Sequence, residues 1–244
     1  NEKLGDTLNA RTFAMAEKSG LHLMTICSTC QGVMAQANER LTSDSDYLES
    51  INEVLREEGL EYKGTIEPKH LLWVIAEDLG IDFLKSKIVR TLDGMKLAPF
   101  YGCYIVRPSK ALGLDVNPDR KQALEEVIEA VGGEVADFPG KTLCCGFPIL
   151  TINPENSLKM VSNHTLDAKR NGADAMVTPC PLCHLNLDGY QPKAAASVKQ
   201  DIDLPIIHLP QLVGLALGIK PEDMRLNKHI VSTKKLLSEL AVSP

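Results

Sequence analysis

Five of the seven cysteines in this 244-residue chain fall into one pattern: Cys103, then Cys144-Cys145-Gly146, then Cys180-Pro181-Leu182-Cys183. Forty residues separate Cys103 from Cys144, and thirty-four separate Cys145 from Cys180. Thiolates are soft ligands that favour iron and zinc. Two thiols at Cys-x-x-Cys spacing on a turn reach one metal, and backbone N–H groups nearby donate to sulfur. The adjacent Cys144 and Cys145 side chains diverge, so they suit two irons of one cluster better than a single ion. Gly146 is expected to leave room for a cluster beside the backbone. Five thiols exceed the four of a zinc site or an ordinary cubane. A cluster with one extra thiolate, or a cubane plus one spare thiol, fits the count; zinc on four of the five is the alternative. Cys27 and Cys30 form a second Cys-x-x-Cys upstream, a further candidate metal pair.

The bulk composition narrows the setting of this chemistry. Hydrophobic residues make up 44% and charged residues 24%, as in a soluble globular protein. A net charge of −6, with one Trp and no basic–aromatic interleaving, argues against nucleic acid as a partner. No stretch reaches the ~18 uncharged apolar residues of a membrane helix. The nearest, residues 204–219, is interrupted by Pro205 and Pro210. No signal peptide is visible, and an odd number of cysteines cannot all pair, so the thiols point to a reducing, cytoplasmic setting.

Elements that position the thiols follow from periodicity and punctuation. The spacing predicts helices over 9–19, 43–58 and 68–79, closed by Gly20 in the first case and Gly80 in the last. Residues 96–106 read as a strand with Cys103 near its end. Asn117-Pro118-Asp119 starts a helix carrying Ala123, Leu124, Val127, Ile128 and Val131 on one face. Residues 134–138 are a short strand, 155–171 a helix and 174–178 a strand leading into Cys180. A helix starts about Cys183, residues 204–208 form a strand and 210–217 a helix. The tail beyond Lys220 carries little pattern. Alternating helices and short strands define an α/β protein with mostly parallel sheets flanked by helices.

The two Cys-x-x-Cys regions share their surroundings. Ala16-x-x-x-Gly20, an apolar run with Met24 and then Cys27-x-x-Cys30 parallels Ala168-x-x-x-Gly172, a run with Met176 and then Cys180-x-x-Cys183. A His-x9-Gly segment follows each, His70 to Gly80 and His208 to Gly218. Two pseudo-repeated units are therefore expected, 1–95 and 96–244. The first is incomplete at its N-terminus: by the downstream spacing its own Cys-Cys would fall roughly nine residues before Asn1.

The five-thiol pattern resembles the CCG cysteine-rich domain, as found in the B subunit of heterodisulfide reductase and in the cysteine-rich subunit of the E-type succinate dehydrogenases. The likeness spans nearly the whole chain. It is carried also by Phe100-Tyr-Gly-Cys-Tyr, Cys144-Cys-Gly-Phe-Pro, Thr178-Pro-Cys-Pro-Leu-Cys-His and His208-Leu-Pro-Gln-Leu-Val-Gly. The resemblance implies a non-cubane [4Fe-4S] cluster bound by Cys103, Cys144, Cys145, Cys180 and Cys183, which would then be both ligands and redox centre. It implies an iron–sulfur subunit of a multi-subunit oxidoreductase, with iron–sulfur and flavoprotein subunits as partners. Electrons would pass towards quinone in a succinate dehydrogenase-type complex, at a membrane contacted only peripherally. A disulfide substrate in a heterodisulfide reductase is the alternative, and a zinc-stabilised structural subunit with no redox role is the third reading. Cys27 and Cys30 stand without the other thiols of a full motif, so a second cluster or zinc there stays open.

Several other residues bear on the site. His184, next to Cys183, is read either as a donor or proton relay at the cluster or as a helix-surface residue. His70 and His208 are expected to be structural or to support the ligands and not to ligate directly, and His164 to be solvated on a polar helix. Arg107 and Lys110 are either attractors of an anionic partner or ordinary loop charges. The acidic 43–67 segment reads as a solvated face.

Overall fold

The computed structural model describes residues 1–240. They divide into two compact units, residues 1–71 with 104–120 and residues 72–103 with 121 onward. These units do not follow a cut at residue 95. The chain after Cys103 joins the first unit as far as Arg120, and residues 72–95 belong to the second.

The first unit opens with α1 (Glu2–Ser19), longer than the periodicity predicts and closed by Gly20 in the left-handed region at φ 62°. Strand β1 (Met24–Thr25) leads into α2 (Ser28–Ser43) and α3 (Ser45–Leu55). Asp44 caps α3, its side chain accepting from the Asp46 and Tyr47 N–H groups. Phe13, Leu41, Ile51, Leu55 and Tyr62 form the core of this unit. Two buried polar anchors cross it. Asn52 exchanges two hydrogen bonds with the Tyr62 backbone. Asp6 accepts from Arg40 at 2.6 and 2.8 Å and from Tyr47 Oη at 2.8 Å.

The expected helix over 68–79 begins instead as strand β2 (Lys69–His70), which pairs in parallel with β1. A short α4 (Leu71–Trp73) follows, then a π-helical turn over Val74–Gly80 and α5 (Ile81–Lys87). Gly80 therefore does not end the helical path; at φ 83° and ψ 146° it redirects it. The apolar residues that suggested one helix, Leu71, Leu72, Val74 and Ile75, all follow the strand and are divided between α4 and the π-helical turn.

The second unit is built on a four-stranded sheet in the order β4-β3-β5-β6, parallel throughout. Its strands are β3 (Lys96–Pro99), β4 (Glu134–Val135), β5 (Ala175–Thr178) and β6 (Ile206–His208). Helices α6 (Ala123–Ala130), α7 (Pro154–Arg170), α8 (Pro181–Gly189), α9 (Gln191–Val198) and α10 (Leu209–Ala216) flank it, and α11 (Lys234–Glu239) follows near the end of the chain. The strands are shorter than predicted. β3 ends at Pro99, which is still paired with Val177 of β5. The predicted apolar face of α6 is buried at all five positions, Ala123, Leu124, Val127, Ile128 and Val131. The tail that carried no pattern buries Leu226, Val231, Leu236 and Leu237. Among the described residues, no helix is long and apolar enough to cross a membrane.

Candidate metal centre

Central strands β3 and β5 deliver the thiols. Past β3, Phe100 N–H donates to Val177 O at 2.7 Å, so the chain follows β5 for one more residue. Tyr101 and Gly102 N–H then both donate to Lys141 O, at 2.8 and 3.3 Å. That junction sets Cys103 beside the 141–146 loop that carries Cys144 and Cys145. Tyr101 is fixed from its other end, its hydroxyl bonding Glu125 and accepting from Leu124 N–H at 2.9 Å. Cys180 lies just past β5 and caps α8 with extended backbone angles, φ −125° and ψ 118°. Cys183 sits in the first turn of that helix. The thiols therefore gather at the carboxyl ends of adjacent parallel strands, the usual place for a site in an open α/β sheet.

All five side chains form one chain of sulfur contacts. Cys144 meets Cys103 and Cys145, Cys145 also meets Cys183, and Cys183 meets Cys180. Cys145, Cys180 and Cys183 are buried, while Cys103 and Cys144 are half-buried. No disulfide joins any of the seven cysteines. Hydrogen bonds from Cys103 and then Cys145 hold the Cys144 thiol down at about 2, against the opposing effect of burial. The price of donating to that thiolate pushes Cys145 up to about 12. Cys183 lies well above the ordinary thiol range because it bonds Cys145 and Cys180 and is buried. A shared, partly deprotonated thiol set suits a positively charged metal centre that takes up the remaining protons' place.

Backbone geometry supports the same use. Gly146 N–H lies 3.4 Å from Cys144 Sγ and Phe147 N–H 3.5 Å from Cys145 Sγ. Three buried side chains hold the three carbonyls of the Cys144-Cys145-Gly146 turn. His164 Nε2 bonds Cys144 O at 2.9 Å, Asn186 donates to Cys145 O at 2.7 Å, and Ser157 donates to Gly146 O at 2.9 Å. Asn186 also donates to Ser157 Oγ at 3.3 Å, which ties the α7 and α8 supports together. With its carbonyls committed to α7 and α8, the turn is left with N–H groups for sulfur.

These supports correct one expectation. His164 is not solvated: it is 6% exposed and holds the cysteine turn. Burial lowers its pKa, so it acts as a neutral imidazole. Gly146 has φ 93°, and a Cβ there would lie 2.9 Å from Ser157 Oγ. Its bare Cα therefore serves close packing against α7 and a left-handed turn. The glycine whose empty side faces a thiol is Gly102, at φ 71°, where a Cβ would meet Cys183 Sγ at 2.9 Å.

The remaining candidates are placed differently. Cys27 is buried and caps α2, whereas Cys30 is exposed one turn on. His184 is half-buried, with its ring 4.6 Å from that of His229 and 6.3 Å from that of His208. Lys110 is exposed and pairs with Glu39 at 2.8 Å. Much of the 43–67 segment is exposed, and Arg56 there bridges Glu49 and Glu61. Ser157, Asn186, Gly102 and His229 carry no spacing signal. They are found through contacts made between elements distant in the chain.

A sulfur-rich centre on a parallel α/β sheet is thus the class that fold and site define. The CCG cysteine-rich domain matches residues 97–188. The chain is 38% identical over 230 residues to the 8-methylmenaquinol:fumarate reductase membrane anchor subunit of Wolinella succinogenes, covering 93% of this chain and 78% of that one. It is 31% identical over 236 residues to the B subunit of the ferredoxin:CoB-CoM heterodisulfide reductase of Methanosarcina mazei, covering 96% and 78%. The chain belongs to the CCG cysteine-rich family of oxidoreductase-complex subunits that includes the heterodisulfide reductase B subunit. A solved structure of a hypothetical protein from Helicobacter pylori shares the fold, with a TM-score of 0.75 and 20% identity. That match covers 93% of this chain and 41% of the other.

Proposed function

We propose that this chain is the iron–sulfur subunit of a fumarate reductase- or succinate dehydrogenase-type complex that exchanges electrons with the quinone pool. The observation that carries the reading is the unbroken run of five thiols, with its turn carbonyls held away by His164, Asn186 and Ser157. Cys103, Cys144, Cys145, Cys180 and Cys183 would hold a non-cubane [4Fe-4S] cluster. Such a cluster supplies one-electron redox chemistry at sulfur-ligated iron. The chain's part is to fix the sulfurs, to present the Gly146 and Phe147 N–H groups to them, and to exclude water from the buried three. Those N–H donors favour the more negative state of a sulfur-ligated centre and so raise its potential.

The quinone assignment rests on the 38% identity, across 93% of this chain, to a subunit named for menaquinol and fumarate. The partners would be an iron–sulfur subunit and a flavoprotein, with the complex on the cytoplasmic side of a membrane. A second reading, disulfide reduction at the same centre, is favoured by the 31% identity to the heterodisulfide reductase B subunit. Cys27 and Cys30 would hold a second cluster or a zinc ion together with thiols from elsewhere.

Anaerobic purification of the native complex tests the proposal. A flavoprotein partner, iron at the five thiols and oxidation or reduction of a menaquinone analogue are expected. Thiol–disulfide turnover without quinone activity would replace the first reading by the second. A colourless protein with zinc alone would overturn both.

A further inference from the structure

A second group of metal-ligating side chains lies on the far part of α8. His184 and Asp188 are four residues apart and so share one helix face. His229 comes to that face from the C-terminal segment, just after the short 3-10 turn Leu226–Lys228. One ligand atom from each of the three lies within 4.8 Å of the others. Zinc takes imidazole nitrogen and carboxylate oxygen at about 2.0–2.2 Å, which sets such atoms about 3.3 Å apart in a tetrahedron. Rotation of the two half-buried rings is the movement needed to close the remaining gap.

The polar partners around the group fit an ion. Asp188 is buried, yet among the described residues no side-chain cation pairs with it. Its oxygens accept from Ile230 N–H at 2.8 Å and Val231 N–H at 3.0 Å, and each keeps a lone pair for a metal. His229 Nδ1 is buried and has no hydrogen-bond partner. Ligation through Nδ1 puts the ring proton on Nε2, and the Ile206 carbonyl lies within hydrogen-bonding reach of this ring. A ligating histidine commonly donates its other N–H to such a carbonyl. Without an ion the Gln211 amide nitrogen, oriented by His208 N–H at its oxygen, donates to Nε2 at 3.0 Å. Ligation through Nδ1 exchanges that bond for one from Nε2–H to the Ile206 carbonyl, and Gln211 keeps its bond to Met224 O.

We propose that His184, Asp188 and His229 form a mononuclear site for a zinc-class divalent cation, separate from the five thiols, that fastens the 226–231 segment to α8. Two imidazoles and a carboxylate are a borderline donor set suited to zinc, with water in the fourth position. The ion would neutralise the buried Asp188 and secure a segment that otherwise meets this helix through two backbone N–H bonds.

The test is zinc analysis and zinc-edge X-ray absorption on holoprotein purified anaerobically without chelator. A Cys27→Ser, Cys30→Ser background removes the upstream thiols from the signal. About one zinc per chain with a nitrogen/oxygen shell and no sulfur is expected. His229→Gln should lower zinc affinity by about tenfold or more while leaving iron content unchanged. Protein without zinc after equilibration in zinc buffer, a shell containing sulfur, or zinc retained at full affinity in His229→Gln would overturn the site. Should His229→Gln fail to fold, the zinc stoichiometry and shell of the parent protein decide the matter.

Discussion

The two Cys-x-x-Cys regions have the same local frame and opposite endings. In the upstream one, β1 pairs in parallel with β2 and sets Thr25 opposite His70. In the downstream one, β5 pairs in parallel with β6 and sets Thr178 opposite His208. The first cysteine of each caps a helix with nearly identical backbone angles, φ −136°, ψ 120° at Cys27 and φ −125°, ψ 118° at Cys180. The residue after the second cysteine then differs. Gln31 is buried and bridges Thr25 Oγ1 and the Pro68 carbonyl, at 2.8 and 2.6 Å. His184, its counterpart, packs among histidines. Upstream the position is held by a structural amide, whereas downstream it carries an imidazole that meets two others. The sheets differ too: β1 and β2 stand as a pair, whereas β5 has β3 on its other side to bring in Cys103. A Cys-x-x-Cys turn is thus a frame common to both regions, and among the described residues the downstream one is joined by Cys103, Cys144 and Cys145.

The largest expected effect breaks this contrast directly. Cys145→Ser removes the thiol that links Cys144 to Cys183 and should lower bound iron by at least about tenfold, since even supporting residues of metal sites are worth that much. Cys30→Ser, exposed and outside the thiol run, should leave iron at the five thiols unchanged. Iron per chain and the visible spectrum of both variants check this. Equal losses would mean that the two regions serve one centre.

Two glycines with close approaches, one in each unit, come next. A Cβ on Gly32 would lie 2.4 Å from Tyr104 Cδ1 and 2.6 Å from Tyr104 O. A Cβ on Gly102 would lie 2.9 Å from Cys183 Sγ, at a φ that alanine resists. Overpacking of this kind costs about 1–3 kcal/mol. Gly32→Ala should lower stability with iron retained, whereas Gly102→Ala should lose iron as well because it displaces a thiol. Denaturant titration beside iron analysis separates the two.

Asn186→Ala leaves the Cys145 carbonyl and Ser157 Oγ without their amide donor. An unsatisfied buried group costs about 1–3 kcal/mol, so the loss should be of that order and should loosen iron binding. An upstream substitution of comparable burial, Asn52→Ala, should destabilise without touching iron, since Asn52 holds only the Tyr62 backbone.

What could be read from residue order follows from this division. The five thiols are specified by spacing, and the α6 face by period, because both are local regularities. Gly20 is legible as a helix end for the same reason, whereas the Asp44 cap splits what reads as a helix from residue 43 and is seen only in the fold. The strand at Lys69–His70 is not legible, since its two residues are strand only through pairing with β1. His164 lies on a helix with a polar sequence, and only the folded turn at Cys144 makes it a buried support. Asn186, Ser157 and Gly102 likewise acquire their roles from contacts between α7, α8 and the thiol loops. The polar tail gives no periodic signal because its buried residues are few and scattered, yet it brings His229 to Asp188.

The smallest effect concerns the upstream unit alone. Burial would raise the Asp6 carboxyl, but hydrogen bonds from Arg40 and Tyr47 outweigh it and hold its pKa below the ordinary 3.8. Below that value the unfolded chain takes up a proton sooner than the folded one. The stabilisation is therefore complete above about pH 4 and disappears as pH falls through the lowered folded value. Asp6→Asn removes the charge and this dependence together. The stability gap between parent and variant, from denaturant titrations at stepped pH, should be constant at neutral pH and narrow below about pH 4. The five-thiol iron content should not follow it, because Asp6, Arg40 and Tyr47 bind only one another and their own unit. A gap that stays level into acid would show that the Asp6–Arg40 pair contributes through shape and not through charge.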